Sequence, residues 1–477
     1  LLLIGAVPGL AQNARNTTQA VQFIKLANTL REVNKSQESI SLLRRAMPAV
    51  RGKNAYWEAV TNELLGLCHR DLDQRAEALP FLERARTQYA HLRYVASAWG
   101  VNEIIREISG KNRYAGIQIN PSDVKLVILK TDYETDFYEK NVRTVIELPG
   151  NVLPDASLSA DASGALRPGA DALRACFDSL RRYDIPAGRT FVVLSSEVRQ
   201  NLNRNPANRR QFYDQLARAL PDASLKIDTT LTPEREAELF TVGAIPRKVW
   251  SSTSALHLGP ISTLGGYFEG NDQPGRMDKT FRAVNLPVGV NTLVEQVEGK
   301  RSLSVEAFRR EAPRVVNAAV ESALRPRLEA LRSGLTTRRT VGLGGDVALA
   351  LVAYLHPERA TTTAVPITLQ DVERFKNGIL TDVRALARPE LSTLADPDLR
   401  RRAEADLGTV SSRLNEKQLL VGALWLEALM KQFPAGPTPK RFVFIRDADV
   451  GWVTGKFLET INYEYESTIA RGALYTR

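Results

Sequence analysis

Cysteine is scarce in this chain: Cys68 and Cys176 are its only two. Two thiols support neither a disulfide framework nor a four-ligand zinc site. Histidine is as thin, with His69, His91, His257 and His356 spread through 477 residues at no metal-ligand spacing, which argues against a transition-metal enzyme. Long apolar runs are also lacking. The longest candidate, Leu419 to Met430, is interrupted by Glu427 and is shorter than the roughly 18 residues a membrane span needs, so no span is expected. What is present is the balance of a folded globular protein, 43% apolar and 25% charged, at a length that fits two to four domains. The net charge of +10 comes from an excess of arginine, much of it in clusters such as Arg44-Arg45, Arg209-Arg210 and Arg400-Arg401-Arg402. These read first as solvated helix faces and second as an anion-binding surface. No aromatic interleaving or nucleic-acid motif accompanies them, so no nucleic-acid partner is expected.

The first residues carry a localisation signal. Leu1 to Val7 is apolar, Pro8 follows, and the small residues Gly9 and Ala11 sit where a signal peptidase inspects the chain. Residues 1–11 therefore resemble the tail of a secretory signal peptide, which implies a periplasmic or secreted protein.

Residues 12–112 read as helical, with apolar positions at three- and four-residue spacing and no strand-like alternation. Leu65, Gly66, Ala78, Leu82 and Ala85 fall at the offsets of a tetratricopeptide repeat, where a small residue of one helix meets a small residue of the next. Leu26, Ala27, Ser39, Leu43 and Ala46 repeat those offsets 39 residues earlier. The repeat of this class is about 34 residues, so an extended loop is expected around Val50 to Tyr56. Residues 17–111 offer either a surface for a protein partner or a plain packing module.

At Tyr114 the texture turns to strands. Ala115 to Leu129 reads as a hairpin turning at Asn120-Pro121-Ser122-Asp123, and Thr190 to Leu194 as a buried strand followed by one helix through Leu220. Thr232-Pro233 opens a further helix, with Thr as N-cap and Pro at its first position. Ala255 to Gly266 then reads as a second hairpin with its turn at Gly259-Pro260. Turns of this kind can cradle a phosphate, because successive amides and small hydroxyls point at one spot.

This order of elements resembles the exopolyphosphatase and guanosine pentaphosphate phosphatase (Ppx/GppA) family. The resemblance covers roughly residues 113 to 460 and rests on several short segments. Gln118 to Asp123 stands at the first phosphate loop, D-x-G-[ST]-N-[ST]. Leu194 to Arg199 matches A-T-[SA]-x-x-R with Arg199 in place, and Arg235 to Leu239 matches E-E-A-x-L with Glu236 kept. His257 to Leu264 stands at the second phosphate loop, D-[IV]-G-G-G-S-T-E, and Val341 to Asp346 resembles the G-x-G-G-T turn. The resemblance implies an α/β fold of two ribonuclease-H-like, actin-like ATPase lobes, here at 113–246 and 247–477, preceded by the all-α tetratricopeptide-like module. It also implies Glu236 as the base that activates water, and Arg199, Gly259, Ser262, Thr263, Gly344 and Gly345 as ligand-binding residues.

The departures weigh against that chemistry. Phosphoanhydride hydrolysis in such a fold needs carboxylates at both loops to hold a divalent cation. Gln118 and His257 replace the two aspartates, and Leu264 replaces the glutamate after the Ser-Thr pair. Neutral Gln and His are poor magnesium ligands. Pro260 removes an amide and Ile261 adds a β-branched side chain where the family has flexible glycines. Asp123, five residues beyond Gln118, is a carboxylate that could substitute. A lone His on an apolar strand reads as a core residue before it reads as an acid or base. The leading expectation is a non-catalytic, exported phosphatase-like protein that binds phosphate, polyphosphate or another anion, or a protein partner, without a cofactor. The alternatives are an active exopolyphosphatase with an altered, Mg2+-dependent site, and an assembly scaffold.

Overall fold

The computed structural model describes residues 12–110, 113–121, 123–130, 144–149, 167–181, 185, 187–203, 206–221, 225–270, 280–436 and 438–460. Residues 1–11, on which the export signal falls, lie outside the described residues. The chain begins with five helices stacked as antiparallel neighbours: α1 (Thr17–Glu32), α2 (Ser36–Val50), α3 (Ala55–Asp71), α4 (Arg75–His91) and α5 (Val95–Ile108). The side chains of Asn16 and Asn54 cap α1 and α3 by accepting the amides of Gln19 and Trp57. Three turns reuse one device, a single left-handed residue just after the helix: Asn34, Asp73 and Arg93 have φ of 60°, 57° and 63°. Close packing follows from small residues. A side chain at Gly66 would lie 2.5 Å from Leu82, and Ser39 donates to the Ala27 carbonyl at 2.8 Å. Cys68 is wholly buried in this core, as its helical position suggests.

No extended loop occupies the region around Val50 to Tyr56. Helix α2 runs to Val50 and α3 begins at Ala55, so the connection is only residues 51–54. The extra length of the repeat lies in the helices themselves, which are 15 to 17 residues long in α1 to α4.

Two mixed sheets follow. The first contains β1 (Arg113–Ile119), β2 (Asp123–Lys130), β3 (Thr144–Pro149), β4 (Thr190–Leu194) and β5 (Ile227–Asp228), with α6 (Arg167–Arg181), α7 (Ser196–Asn203), α8 (Pro206–Ala219) and α9 (Pro233–Ala244) between or after strands. The single helix expected through Leu220 is two, because Pro206 cannot continue the ladder of α7 and starts α8 instead. The second sheet contains β6 (Thr253–Leu258), β7 (Thr263–Glu269), β8 (Thr280–Ala283), β9 (Thr340–Gly344), β10 (Ala364–Ile367) and β11 (Arg441–Ile445). Its helices are α10 (Val290–Glu298), α11 (Val305–Ala319), α12 (Arg325–Ala330), α13 (Arg332–Thr337), α14 (Asp346–Leu355), α15 (Leu369–Leu386), α16 (Pro397–Arg413) and α17 (Glu416–Gln432).

Both sheets share one plan. The first runs β3-β2-β1-β4-β5 and the second β8-β7-β6-β9-β11, with β10 added at its edge. In each, three antiparallel strands are joined by parallel strands at the side of the first. These are two ribonuclease-H-like lobes in an actin-like arrangement, preceded by an all-α module.

The lobes are joined by a helix crossing. The last described helix, α18 (451–460), follows the second sheet in sequence, yet Trp452, Val453 and Phe457 pack with Leu239 and Phe240 of α9 over Tyr114, Val127 and Leu129 of the first sheet. The opposite face of that sheet is filled from α6 and α8 by Leu173, Phe177, Phe212 and Leu216. Glycines let the two helices touch backbone to backbone. A Cβ on Gly243 would lie 1.9 Å from the Gly451 carbonyl, and one on Gly455 would lie 2.0 Å from the Leu239 carbonyl. Replacing Gly455 by Leu therefore forces backbone apart, at a cost of about 1–3 kcal/mol or more. The expected result in a melting experiment is a midpoint lower by several degrees, whereas Gly408→Ala, at a site with nothing within 4 Å, leaves it unchanged or higher.

Candidate functional site

The tips of the two hairpins face each other across a cleft of about 610 Å³ between the lobes. Strand pairing sets what each tip presents. Gln118 on β1 pairs with Lys125 on β2, and His257 on β6 pairs with Leu264 on β7. The two pairs occupy equivalent places, seven residues apart in both lobes. All four residues line the cleft.

Lys125 was not singled out from the sequence, although counting seven residues on from Gln118 would have found it. Its side chain is only 5% exposed. The ammonium lies 2.7 Å from Asp449, at the entry to α18, and 3.6 Å from Asp123 on its own strand. Burial opposes its charge, but Asp449 and Asp123 outweigh that and hold the Lys125 pKa above its usual value. Asp449 in turn lies 3.8 Å from Arg413, which pairs with Asp346 at 2.6 Å. Carboxylates and cations thus alternate along one wall. Burial raises Asp346 to about 6, with Lys125 pulling the other way.

The resemblance implies a divalent cation here, and the donors do not fit one. His257 is neutral at pH 7, lowered to about 4 chiefly by burial, and its ring packs edge-on against Phe240. Gln118 offers an amide and Leu264 nothing. The carboxylates of Asp123 and Asp449 already surround the Lys125 ammonium. Among the described residues no group of three or more His, Cys, Asp or Glu is arranged to hold a metal ion.

The anion side of the cleft is filled in the same way. Glu197, at the start of α7, accepts the Ser262 hydroxyl at 2.6 Å, and the backbone amides of Ser262 and Ile261 also favour its charge. A carboxylate of one lobe therefore sits on the turn of the other. Burial pushes Glu197 up to about 8, the charge of Glu236 adds to this, and the Ser262 contacts oppose it. Glu236 lines the cleft and accepts the Ser196 amide at 2.7 Å; burial raises its pKa as well.

The other expected site residues divide. Gly259 and Ser262 line the cleft. Thr263 does not, because its hydroxyl donates to the Val288 carbonyl at 2.8 Å and accepts the Trp425 indole N–H at 3.0 Å inside the core. Arg199 points to the entry of α9, donating to the carbonyls of Thr230 and Leu231 at 2.8 and 2.9 Å, and lies outside the lining. Gly344 and Gly345 shape the β9–α14 turn. Gly345 has φ of 106°, and a Cβ there would lie 2.3 Å from the Leu258 carbonyl. Gly345 borders a smaller depression of about 200 Å³ that also reaches Asp346 and Arg413.

No family model matches the chain, and no curated protein matches it. The doubled strand order, three antiparallel strands continued by parallel ones in each lobe, is that of an actin-like fold. Solved structures of similar course include an exopolyphosphatase-like protein, 16% identical, covering 73% of this chain and 98% of its own, with a TM-score of 0.49. A Ppx/GppA family member of Aquifex aeolicus is 15% identical over 74% of this chain and 98% of its own, with a TM-score of 0.44. An exopolyphosphatase from Cytophaga hutchinsonii is 14% identical over 70% of this chain and 93% of its own, with a TM-score of 0.46.

The raised Glu197 gives a signed pH dependence. Between about 4.5 and about 8 the unfolded chain ionises this group while the folded protein keeps it protonated, so stability falls as pH rises through that window. Glu197→Gln keeps an acceptor for Ser262 and removes the titration. Melting at pH 6 and pH 8.5 is expected to show a smaller loss in the variant than in the parent; an unchanged slope would assign the titration elsewhere.

Proposed function

We propose that this protein is a non-catalytic relative in the structural sense: a two-lobed phosphatase-like fold that works by binding rather than by hydrolysis, outside the cytoplasm. The observation that carries this reading is the Lys125 ammonium, 2.7 Å from Asp449 in the heart of the cleft. A divalent cation and a lysine ammonium compete for the same carboxylates, and two cations that close repel strongly in a buried site. Glu236 keeps its place as a base, but its carboxyl is pushed toward the neutral form by burial, and among the described residues no group of three or more His, Cys, Asp or Glu is arranged to hold the metal that would polarise a phosphoryl group. The first residues, with their signal-like pattern, support export.

A second reading concerns the helical module as a docking surface for a protein. Leu26, Val33 and Leu72 are 50%, 57% and 37% exposed there, and Tyr56 and Tyr94 form an exposed aromatic pair with centroids 5.0 Å apart. Aromatic side chains of this kind supply contact area at low entropic cost.

The test is hydrolysis of long-chain polyphosphate, tripolyphosphate and p-nitrophenyl phosphate with Mg2+ or Mn2+. No phosphate release above a protein-free control is expected. Metal-dependent release that disappears in Glu236→Gln would overturn the proposal.

A further inference from the structure

Behind the cleft the lobes are joined where α9 crosses α18 backbone to backbone, at Gly243, Gly451 and Gly455. Polar contacts also join them at the cleft itself. One set lies beside the crossing, where the Lys125 ammonium and the Gln118 amide both hold Asp449 at the entry to α18. Another spans the cleft, where Glu197 at the start of α7 accepts the Ser262 hydroxyl at 2.6 Å and meets the amides of Ser262 and Ile261. The two differ in what a movement does to them. Because α18 lies against the first sheet, turning the lobes apart about the crossing leaves Asp449 with Lys125 and separates Glu197 from the β6–β7 turn.

Glu197 is also a buried carboxyl without a cation. It is 9% exposed, and no Lys or Arg pairs with it among the described residues. The titratable groups that face it are Glu236 of α9, 7% exposed, whose charge repels its own, and His257 of β6, which is neutral. A Cβ on Gly259 would lie 3.5 Å from His257 Nδ1 and 3.7 Å from Glu197 Oε1, so ring and carboxyl flank the same turn. Lys125 and Arg413 line the same cleft but are held by Asp449 and Asp346. The donors of the turn favour a Glu197 carboxylate, yet burial and Glu236 outweigh them and push the group up to about 8. An ionised Glu197 is therefore better placed in water than in the closed cleft, and separation of the lobes is the movement that brings water to it.

We infer that the contact between Glu197 and Ser262 is a proton-operated latch between the lobes: protonated Glu197 keeps the cleft closed, and ionised Glu197 releases the β6–β7 turn and lets the cleft open about the α9–α18 crossing. Opening releases a proton, which fixes the sign. With Glu197 held at about 8 in the closed form and at its ordinary 4.5 in the open form, closure is fully favoured at low pH and is lost as pH rises through about 8. Between those values the ratio of open to closed protein rises by up to about tenfold per pH unit, and above them it levels off. The latch works independently of what the cleft binds and of whether it hydrolyses phosphate.

The test is small-angle X-ray scattering on the whole chain from pH 5.5 to pH 9 at constant ionic strength, with far-ultraviolet circular dichroism on the same samples. The radius of gyration is expected to increase with pH while helix content holds. Glu197→Gln, which accepts from Ser262 but does not ionise, is expected to stay closed throughout. Glu236→Gln removes the neighbouring charge and supplies a second readout, a smaller increase that levels off at lower pH. A constant radius in the parent, an equal increase in Glu197→Gln, an unshifted response in Glu236→Gln, or an increase accompanied by loss of helix would overturn the inference.

Discussion

The structure depends on the ammonium of Lys125. Taking such a group out of water costs several kcal/mol unless carboxylates are brought to it. One of them, Asp123, comes from the same hairpin; the other, Asp449, comes from the far end of the chain, at the entry to α18. The pair therefore ties the position of the second lobe's exit to the first lobe's hairpin. The same α18 then lies across α9 through Gly243, Gly451 and Gly455, where no side chain separates the backbones. A charge constraint at the cleft and a steric constraint behind it fix the same junction.

Across the cleft, Glu197 makes the opposite connection. It belongs to the helix after β4 and accepts the Ser262 hydroxyl on the β6–β7 turn. A turn of this kind in a phosphate-handling fold turns its amides and hydroxyls toward an anion. Here a carboxyl side chain of the protein takes that place. The Lys125 ammonium takes the place of a cation and the Glu197 carboxyl, pushed up to about 8 chiefly by burial, takes the place of an anion, so both places are occupied by the polypeptide itself. The turn is also braced from behind, since the amides of Val290 and Asn291 at the start of α10 donate to the carbonyls of Gly259 and Pro260.

The helical module is joined to the first lobe by the end of β2. Lys130 lies 3.6 Å from Glu107 of α5, and Arg70 of α3 lies 3.9 Å from the same carboxylate. Partly exposed pairs of this kind contribute little stability, so they orient more than they hold. The firm structure is inside the hairpins, where Ala27, Ala46, Gly66, Ala78 and Ala85 let helices approach closely.

Ala115 to Leu129 and Ala255 to Gly266 were readable as two hairpins, because strand-forming residues flank the turn residues Asn120-Pro121-Ser122-Asp123 and Gly259-Pro260. The small residues of the helical module fixed which helix faces meet, and Thr232-Pro233 fixed a helix start. The loss of acid at Gln118, His257 and Leu264 was also readable, since it concerns residue identity at a counted position. Tertiary structure decided the rest. Thr263 and Arg199 look like ligand groups in sequence, yet one is spent on Trp425 and Val288 and the other on backbone carbonyls. Glu197 and Lys125 look like ordinary surface residues, yet folding buries both and gives each its partner from the other lobe. Local pattern records which face a residue takes; whether its charge is then met by water, by a ligand or by another part of the chain is set by contacts between residues far apart in sequence.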